Sequence, residues 1–510
     1  MKKNRVYILT AIFSVMMIAL FSLSANAYIS LDEDDLTKTV DNVKYHMFES
    51  EGEKRAIAYD FVASEEITEL NILSEVDGYK VTSVEATSFF KSFPKVTEIT
   101  IGENVESLSF HTFASFKSLK KVNLPSTLTS IGDEVFAGCS SLESMNLEYV
   151  TYIGTEAFNN CTSLKEVKFS ENLKTIGSRS FRNTGFETIT IPSKAYLSGT
   201  ESFAVIGEQF RDCVNLKTVI FEDREDNSKP FYIDEWAFNG CTSLETVILP
   251  QNVSDIKIYD AAFFNCKNLK NFDFSKVTNI YDHAFMGCTK ITKVDFSDDL
   301  KIIGCYAFAE TGLKTVTIPS KTQLECNLGG ENEHGDDTGA FEDFYAQFKN
   351  CKNLKTVIFE DKTTSKFTIP HFTFEGCTAL KKVYLPDDTK ITVGPRAFKN
   401  CTSLTKVYGS ETIVEIGDAA FSYCKSLKEI TLGKNLKTVG EKAFLGCSKL
   451  ARVNLESTKT APTFGRKAFS ATADGINFVA DKAIAKKVKT NLKNTAKKNA
   501  KVYSVSYSKV

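Results

Sequence analysis

Cysteine is the residue whose number first invites a chemical reading. Eleven of the thirteen cysteines (Cys139, Cys161, Cys213, Cys241, Cys266, Cys288, Cys351, Cys377, Cys401, Cys424 and Cys447) each stand three residues after a phenylalanine. Equivalent residues of a regular array form a line, whereas a zinc site needs ligands converging as a tetrahedron, so metal binding is not expected there. Phe116 takes the same place in one copy, which marks the position as buried and apolar, and Cys packs well as a small hydrophobe. Two readings stand: buried thiols, or disulfides between neighbouring copies. Cys305 and Cys326 lie outside this series, and a Cys305–Cys326 bridge would pin an insertion. Residues 329–339 gather Glu331, Glu333, Asp336 and Asp337 among glycines, oxygen ligands that could hold Ca²⁺, although the spacing is not that of an EF-hand. No other metal and no cofactor is expected. His46, His111, His283, His334 and His371 fall in separate segments, and neither G-x-S-x-G nor H-E-x-x-H occurs. Asp273 and Asp295 would face outward on neighbouring strands; paired carboxylates can hydrolyse glycosides, but these would lie on an open sheet with no cleft. The chain reads as a non-enzyme.

The elements that position these residues follow from periodicity. The segments beginning at Val135, Ala157, Ala284, Ala397 and Ala443 share the frame A-F-x-x-C-x-x-L-x-x-V-x-L, followed by L-x-x-I-G. The marker phenylalanines are Phe90, Phe113, Phe136, Phe158, Phe181, Phe210, Phe238, Phe263, Phe285, Phe308, Phe348, Phe374, Phe398, Phe421, Phe444 and Phe469. L-x-x-V-x-L turns its apolar side chains inward along a short strand and alternate residues outward. A unit this short cannot bury its own apolar face and must stack on its neighbours. About sixteen coils should form a parallel sheet on one face with a column of Phe behind it. L-x-x-I-G should turn the chain, with Gly tolerating a conformation other residues resist.

The block I-G-x-x-A-F-x-x-C-x-x-L, as in residues 153–164, resembles the BspA-type leucine-rich repeats of secreted and surface proteins, over roughly residues 81–470. The resemblance implies an α/β-type, right-handed leucine-rich-repeat solenoid and a role in adhesion or ligand binding. Residues 28–80 read as an N-terminal cap with a hairpin over residues 43–48 and 56–61, and residues 471–510 as a C-terminal cap with a basic helix and an edge strand. Lys2, Lys3 and Arg5, an apolar stretch and Ala25-Asn26-Ala27 read as a signal peptide over residues 1–27. The protein is therefore expected to be secreted or on the cell surface of a bacterium, with no membrane span after cleavage. Formal net charge is −2, with no basic excess for nucleic acid.

Two insertions, about 195–209 and 322–347, interrupt the period. Each leads into the same text, residues 215–223 and 353–361, so a larger block is duplicated and both insertions should leave from one side. Along the outward row, Ile220 and Ile248 are neighbours, and Ile358, Tyr384 and Tyr408 form a three-coil stripe on the face expected to be concave. Contiguous apolar and aromatic side chains suit contact with a protein or a sugar; strand propensity alone is the other reading. The leading expectation is an adhesin-like module that recognises host or neighbouring-cell protein through the sheet and the insertions. A carbohydrate or cell-wall polymer module and a structural surface spacer are the alternatives.

Overall fold

Each repeat closes into one coil because its two apolar strand segments and its phenylalanine all turn toward the same axis. In a computed structural model of the chain, residues 36–62, 65–85, 93–197, 207–325, 345–362, 364–456, 460–493 and 500–505 are described. They form a parallel β-solenoid of about seventeen turns. Residues 1–27, Phe90, Cys326, His334 and the acidic group Glu331, Glu333, Asp336 and Asp337 lie outside the described residues.

The V-x-L segments pair in parallel as a first ladder. Strand Thr218–Phe221, for instance, aligns Val219 with Val247 and Ile220 with Ile248 of strand Thr246–Ile248. Inward residues are buried and outward ones are not. The segment expected only to turn the chain also pairs, as a second ladder of short strands such as Ser130–Ile131 and Tyr152–Ile153. A third row of backbone hydrogen bonds joins the Ala-Phe segments: Phe136 N–H donates to Ala157 (2.8 Å) and Phe158 N–H to Ser180 (2.7 Å).

The return limb is turn and not helix. Two residues per coil hold positive φ, as in Glu134 (56°) and Gly138 (75°), then Glu156 (54°) and Asn160 (62°). Left-handed residues at that density prevent a run of i→i−4 hydrogen bonds. The α-helix described is Ala485–Asn491 at the C-terminal end, which buries Val488 and exposes lysines.

Glycine of the I-G pair plays a different part from the one expected. Its φ is not left-handed; a Cβ on Gly154 would lie 2.6 Å from the Gly132 carbonyl carbon, and one on Gly177 2.6 Å from that of Gly154. Gly is present because the coils touch there.

Inside, the rings from Phe113 to Phe469 form an unbroken column. Successive centroids such as Phe158–Phe181 (5.1 Å, 3°) and Phe210–Phe238 (5.4 Å, 2°) are nearly parallel. Offset stacking at such distances adds about 0.5–1.5 kcal/mol per pair beyond burial. Phe61, from the antiparallel hairpin Val43–Ser50 and Glu53–Phe61, stacks on Phe113 at 5.7 Å and closes the N-terminal end. Strands Asn477–Asp481 and Lys501–Val505 continue the first ladder at the other end.

All eleven series cysteines are free and buried. Each thiol donates to the carbonyl of the phenylalanine one coil earlier, from Cys139 to Phe113 (3.2 Å) through Cys447 to Phe421 (3.0 Å). Burial pushes the Cys139 thiol up to about 12, so it stays a protonated donor. Where Cys stands, the position therefore also supplies a small hydrogen-bond donor, which the buried Phe116 at the same place lacks. Thr184, Thr311 and Thr472 fill it elsewhere, and their hydroxyls donate to the phenylalanine carbonyl of their own coil (2.8–2.9 Å).

Candidate binding surfaces

The outward row of the first ladder carries the expected stripe. Thr317, Ile358, Tyr384 and Tyr408 occupy one register line across four paired strands. The Tyr384 and Tyr408 rings stack at 4.5 Å and 4°, and Tyr408 is 38% exposed. Lys406 Nζ lies 5.9 Å from the Tyr408 ring and 3.2 Å from Glu429. Ile220 and Ile248 are paired neighbours, and Ile248 is 44% exposed.

Asp273 and Asp295 do not sit on paired strands. Among the described residues, the first ladder is interrupted between Thr246–Ile248 and Thr315–Ile318, with only an isolated Thr246–Asn271 bridge. Phe272 stands in place of the frame's Val, and its ring packs with Phe274 and Phe285 at 4.8 and 5.0 Å. Asp273 accepts a hydrogen bond from the Ser275 amide (2.9 Å), and Asp295 pairs with Lys293. Each carboxylate is held locally. His111 contacts Glu134, His283 stacks on Tyr306, and His371 lies near Tyr345, on separate coils. Among the described residues no cluster of His, Cys, Asp and Glu could hold a metal, and no helix is long and apolar enough to cross a membrane. Cys305 is buried and disulfide-bonded; its expected partner, Cys326, lies outside the described residues.

Two cavities open on the second ladder, one beside the root of each insertion. The strand Thr188–Ile191 pairs directly with Thr218–Phe221, so their coils are neighbours. Their second-ladder segments nevertheless fall in separate sheets: Tyr196 bridges back to Thr175, and Phe231–Ile233 begins a new sheet. Arg224 fills part of the gap. It donates to the Ala195 carbonyl (3.1 Å) and lies over the Tyr196 ring at 4.7 Å and the Phe231 ring at 5.8 Å. The cavity left there measures about 180 Å³ and is lined by Tyr196, Arg224, Phe231, Tyr232, Asp234 and Tyr259 among others. Tyr196 and Tyr232 are 49% and 40% exposed. Burial raises the Asp234 carboxyl to about 7, opposed by the Gln209 amide, and raises the Tyr259 phenol to about 12.

The second cavity repeats this plan at about 490 Å³. Gln323 pairs back to Ile302, and Lys366–Ile369 begins another sheet. Lys362 replaces Arg224: it donates to Thr322 (3.3 Å) and Pro319 (2.7 Å) and lies 4.5 Å over Phe367. Burial lowers its amine to about 8. Even the root contacts recur, with the Ser193 amide donating to Glu222 (3.2 Å) and the Ser320 amide to Glu360 (3.1 Å).

Residues 82–206, 204–327 and 345–474 match the BspA type leucine rich repeat region, in six copies. The chain belongs to this BspA-type family. A leucine-rich repeat protein from Bacteroides ovatus is similar in fold, with a TM-score of 0.56 at 22% identity over 92% of this chain and 99% of that one. The pneumococcal vaccine antigen PcpA has a TM-score of 0.36 at 16% identity over 92% and 99%. A leucine rich cell surface protein from Faecalibacterium prausnitzii has 0.27 at 19% over 86% and 92%. No curated protein matches the chain.

Against the BspA-type frame, the first cavity stands where the frame fails. Asp234, Tyr259 and Tyr281 occupy the place of the coil-contact glycine on three consecutive coils, and the second ladder has a register shift between Ile256 and Lys257. Sequence reasoning missed these residues by following the repeat's agreements. The signal was the run of missing glycines after the first insertion.

Proposed function

We propose that this BspA-type protein is exported and works by binding, without catalysis, as an adhesin-like module for a protein on a host or neighbouring cell. The observation that carries this reading is the parallel Tyr384–Tyr408 stack, half-open on the first ladder and in line with Ile358. Stacked aromatic rings lose little conformational entropy on contact, and each ends in a hydroxyl, as protein-contact surfaces favour. Membership of the repeat family supports a binding role, and among the described residues His111, His283 and His371 lie on separate coils while Asp273 and Asp295 are held locally.

The test is binding of the chain without residues 1–27 to an array of extracellular matrix and cell-surface proteins, beside a Tyr384→Ala/Tyr408→Ala variant. The expected outcome is a protein ligand whose affinity drops at least about tenfold in the variant, as truncating a contact centre does. An unchanged affinity removes the stripe from the reading.

A further inference from the structure

We propose that the cavity between Tyr196 and Tyr232 is a saccharide-binding site, taking a neutral pyranose unit of a glycan. This goes beyond the protein-binding reading and uses a different face of the solenoid.

The walls are amphipathic rings. Arg224 covers one face of Tyr196 at 4.7 Å, and about half of that residue remains open. Tyr232 is similarly open, with Tyr259 tilted at 45° and 5.9 Å beside it. A pyranose presents an apolar C–H face and a hydroxyl edge, which matches an aromatic face ringed by polar groups. Those groups are present: the Arg224 guanidinium donates, the Asp234 carboxyl accepts, and the tyrosine hydroxyls do both. Apolar walls with a few convergent polar groups are the usual make-up of a small-ligand site. Lys257 Nζ also lies 5.6 Å from the Tyr232 ring, so the cavity is bordered by donors and acceptors that the hydroxyls of a neutral sugar can engage.

An extended peptide fits less well. Strand addition needs a free edge with a full strand spacing beside it, about 4.8 Å on each side. Here the two coils are direct neighbours in the first ladder, and Arg224 already reaches from one to the Ala195 carbonyl and the Tyr196 ring of the other, where an added strand would have to lie.

The duplicated block provides an internal comparison. At the second cavity Gln323 stands for Tyr196, Thr368 for Tyr232 and Pro370 for Asp234, and the following coil has Gly394 where the first has Tyr259. The scaffold is repeated and the two tyrosine walls are not, the rings of the second cavity being Phe367, Tyr345 and His371. Where glycine holds this place, as at Gly154 and Gly177, a Cβ would lie 2.6 Å from the backbone of the preceding coil, so Tyr259 and Tyr281 depart from the repeat's close coil contact. Departures of that kind, gathered around one cavity, are what a site requires.

The experiment titrates linear tetrasaccharides of glucose, galactose and N-acetylglucosamine into the purified chain, with binding read by saturation-transfer NMR and calorimetry. At least one should bind with a dissociation constant below about 1 mM. Tyr196→Ala and Tyr232→Ala should each weaken it at least about tenfold, whereas Gln323→Ala and Tyr384→Ala/Tyr408→Ala should leave it unchanged. Both tyrosines are half-exposed, and an unchanged thermal midpoint for each variant separates loss of the site from loss of the fold. Absence of binding by all three sugars, or binding that survives both tyrosine variants, overturns the proposal. So does a protein ligand, with no sugar binding, that is lost in Tyr196→Ala. None of these results bears on the Tyr384–Tyr408 stripe, which is tested by its own variant.

Discussion

Gly154 and Gly138 belong to the same coil region and are glycine for opposite reasons. Gly154 has ordinary φ but no room, since a Cβ would meet the Gly132 carbonyl carbon at 2.6 Å. Gly138 has room, with Ser115 Oγ at 3.4 Å, but holds φ at 75°. At its equivalents in other coils Asn160 and Asp212 adopt the same backbone, at 62° and 60°. Gly154→Ala should therefore destabilise by about 1–3 kcal/mol through overpacking of rigid backbone. Gly138→Ala should cost about 1–2 kcal/mol, and Gly138→Asn less. Urea unfolding followed by circular dichroism gives all three; a Gly154→Ala cost below about 1 kcal/mol would mean the coil contact is softer than its geometry.

At the scale of the coil, carboxylates tie the second ladder along its edge. Asp133 accepts the Thr155 amide (2.7 Å), and Asp260 that of Asp282 (3.0 Å). Asp260 is also buried beside Asp282 and Glu235, and burial first, then their charges, raise its carboxyl to about 7. Its folded value exceeds its unfolded one, about 3.9, so the folded state binds the proton more tightly. Its contribution to stability is complete below the unfolded value and is lost as pH rises through about 7. Asp260→Asn keeps the acceptor and removes the titration. Relative to the wild type, this variant should gain stability between pH 5 and pH 8, read from urea midpoints at intervals across that window; a constant difference would show that Asp260 titrates as an ordinary aspartate.

Across the whole molecule, stability passes from coil to coil through the phenylalanine column, in the manner of a one-dimensional stack. Phe285 lies between Phe263 and Phe308 at 5.3 and 5.4 Å, in the widest of the first ladder's interruptions among the described residues. Phe285→Ala should cost about 3–5 kcal/mol and uncouple the two halves there. Trp236, the single tryptophan, reports only the N-terminal half. In this variant its fluorescence and the circular dichroism should give separate unfolding midpoints, and coincident midpoints would mean that the outer rows of hydrogen bonds alone keep the halves cooperative.

Composition and period alone determined the solenoid, the inward L-x-x-V-x-L residues, the phenylalanine column and the alignment of Ile358, Tyr384 and Tyr408. These depend on local alternation and on a unit too short to bury its own core, and both are visible in one dimension. The structure decided what depends on the neighbouring coil. It assigned the thiol of Cys139 to the carbonyl of Phe113, a partner set by stacking and not by spacing. It turned the glycines from flexible joints into points of contact, and placed Asp273 and Asp295 on coils whose first-ladder segments are not paired strands. It also placed Tyr196, Arg224 and Tyr232 around one cavity, where the second-ladder segments of two adjacent coils fall in separate sheets. Periodicity records what every coil shares, whereas a site forms where coils differ, and that difference acquires a shape only when they stack.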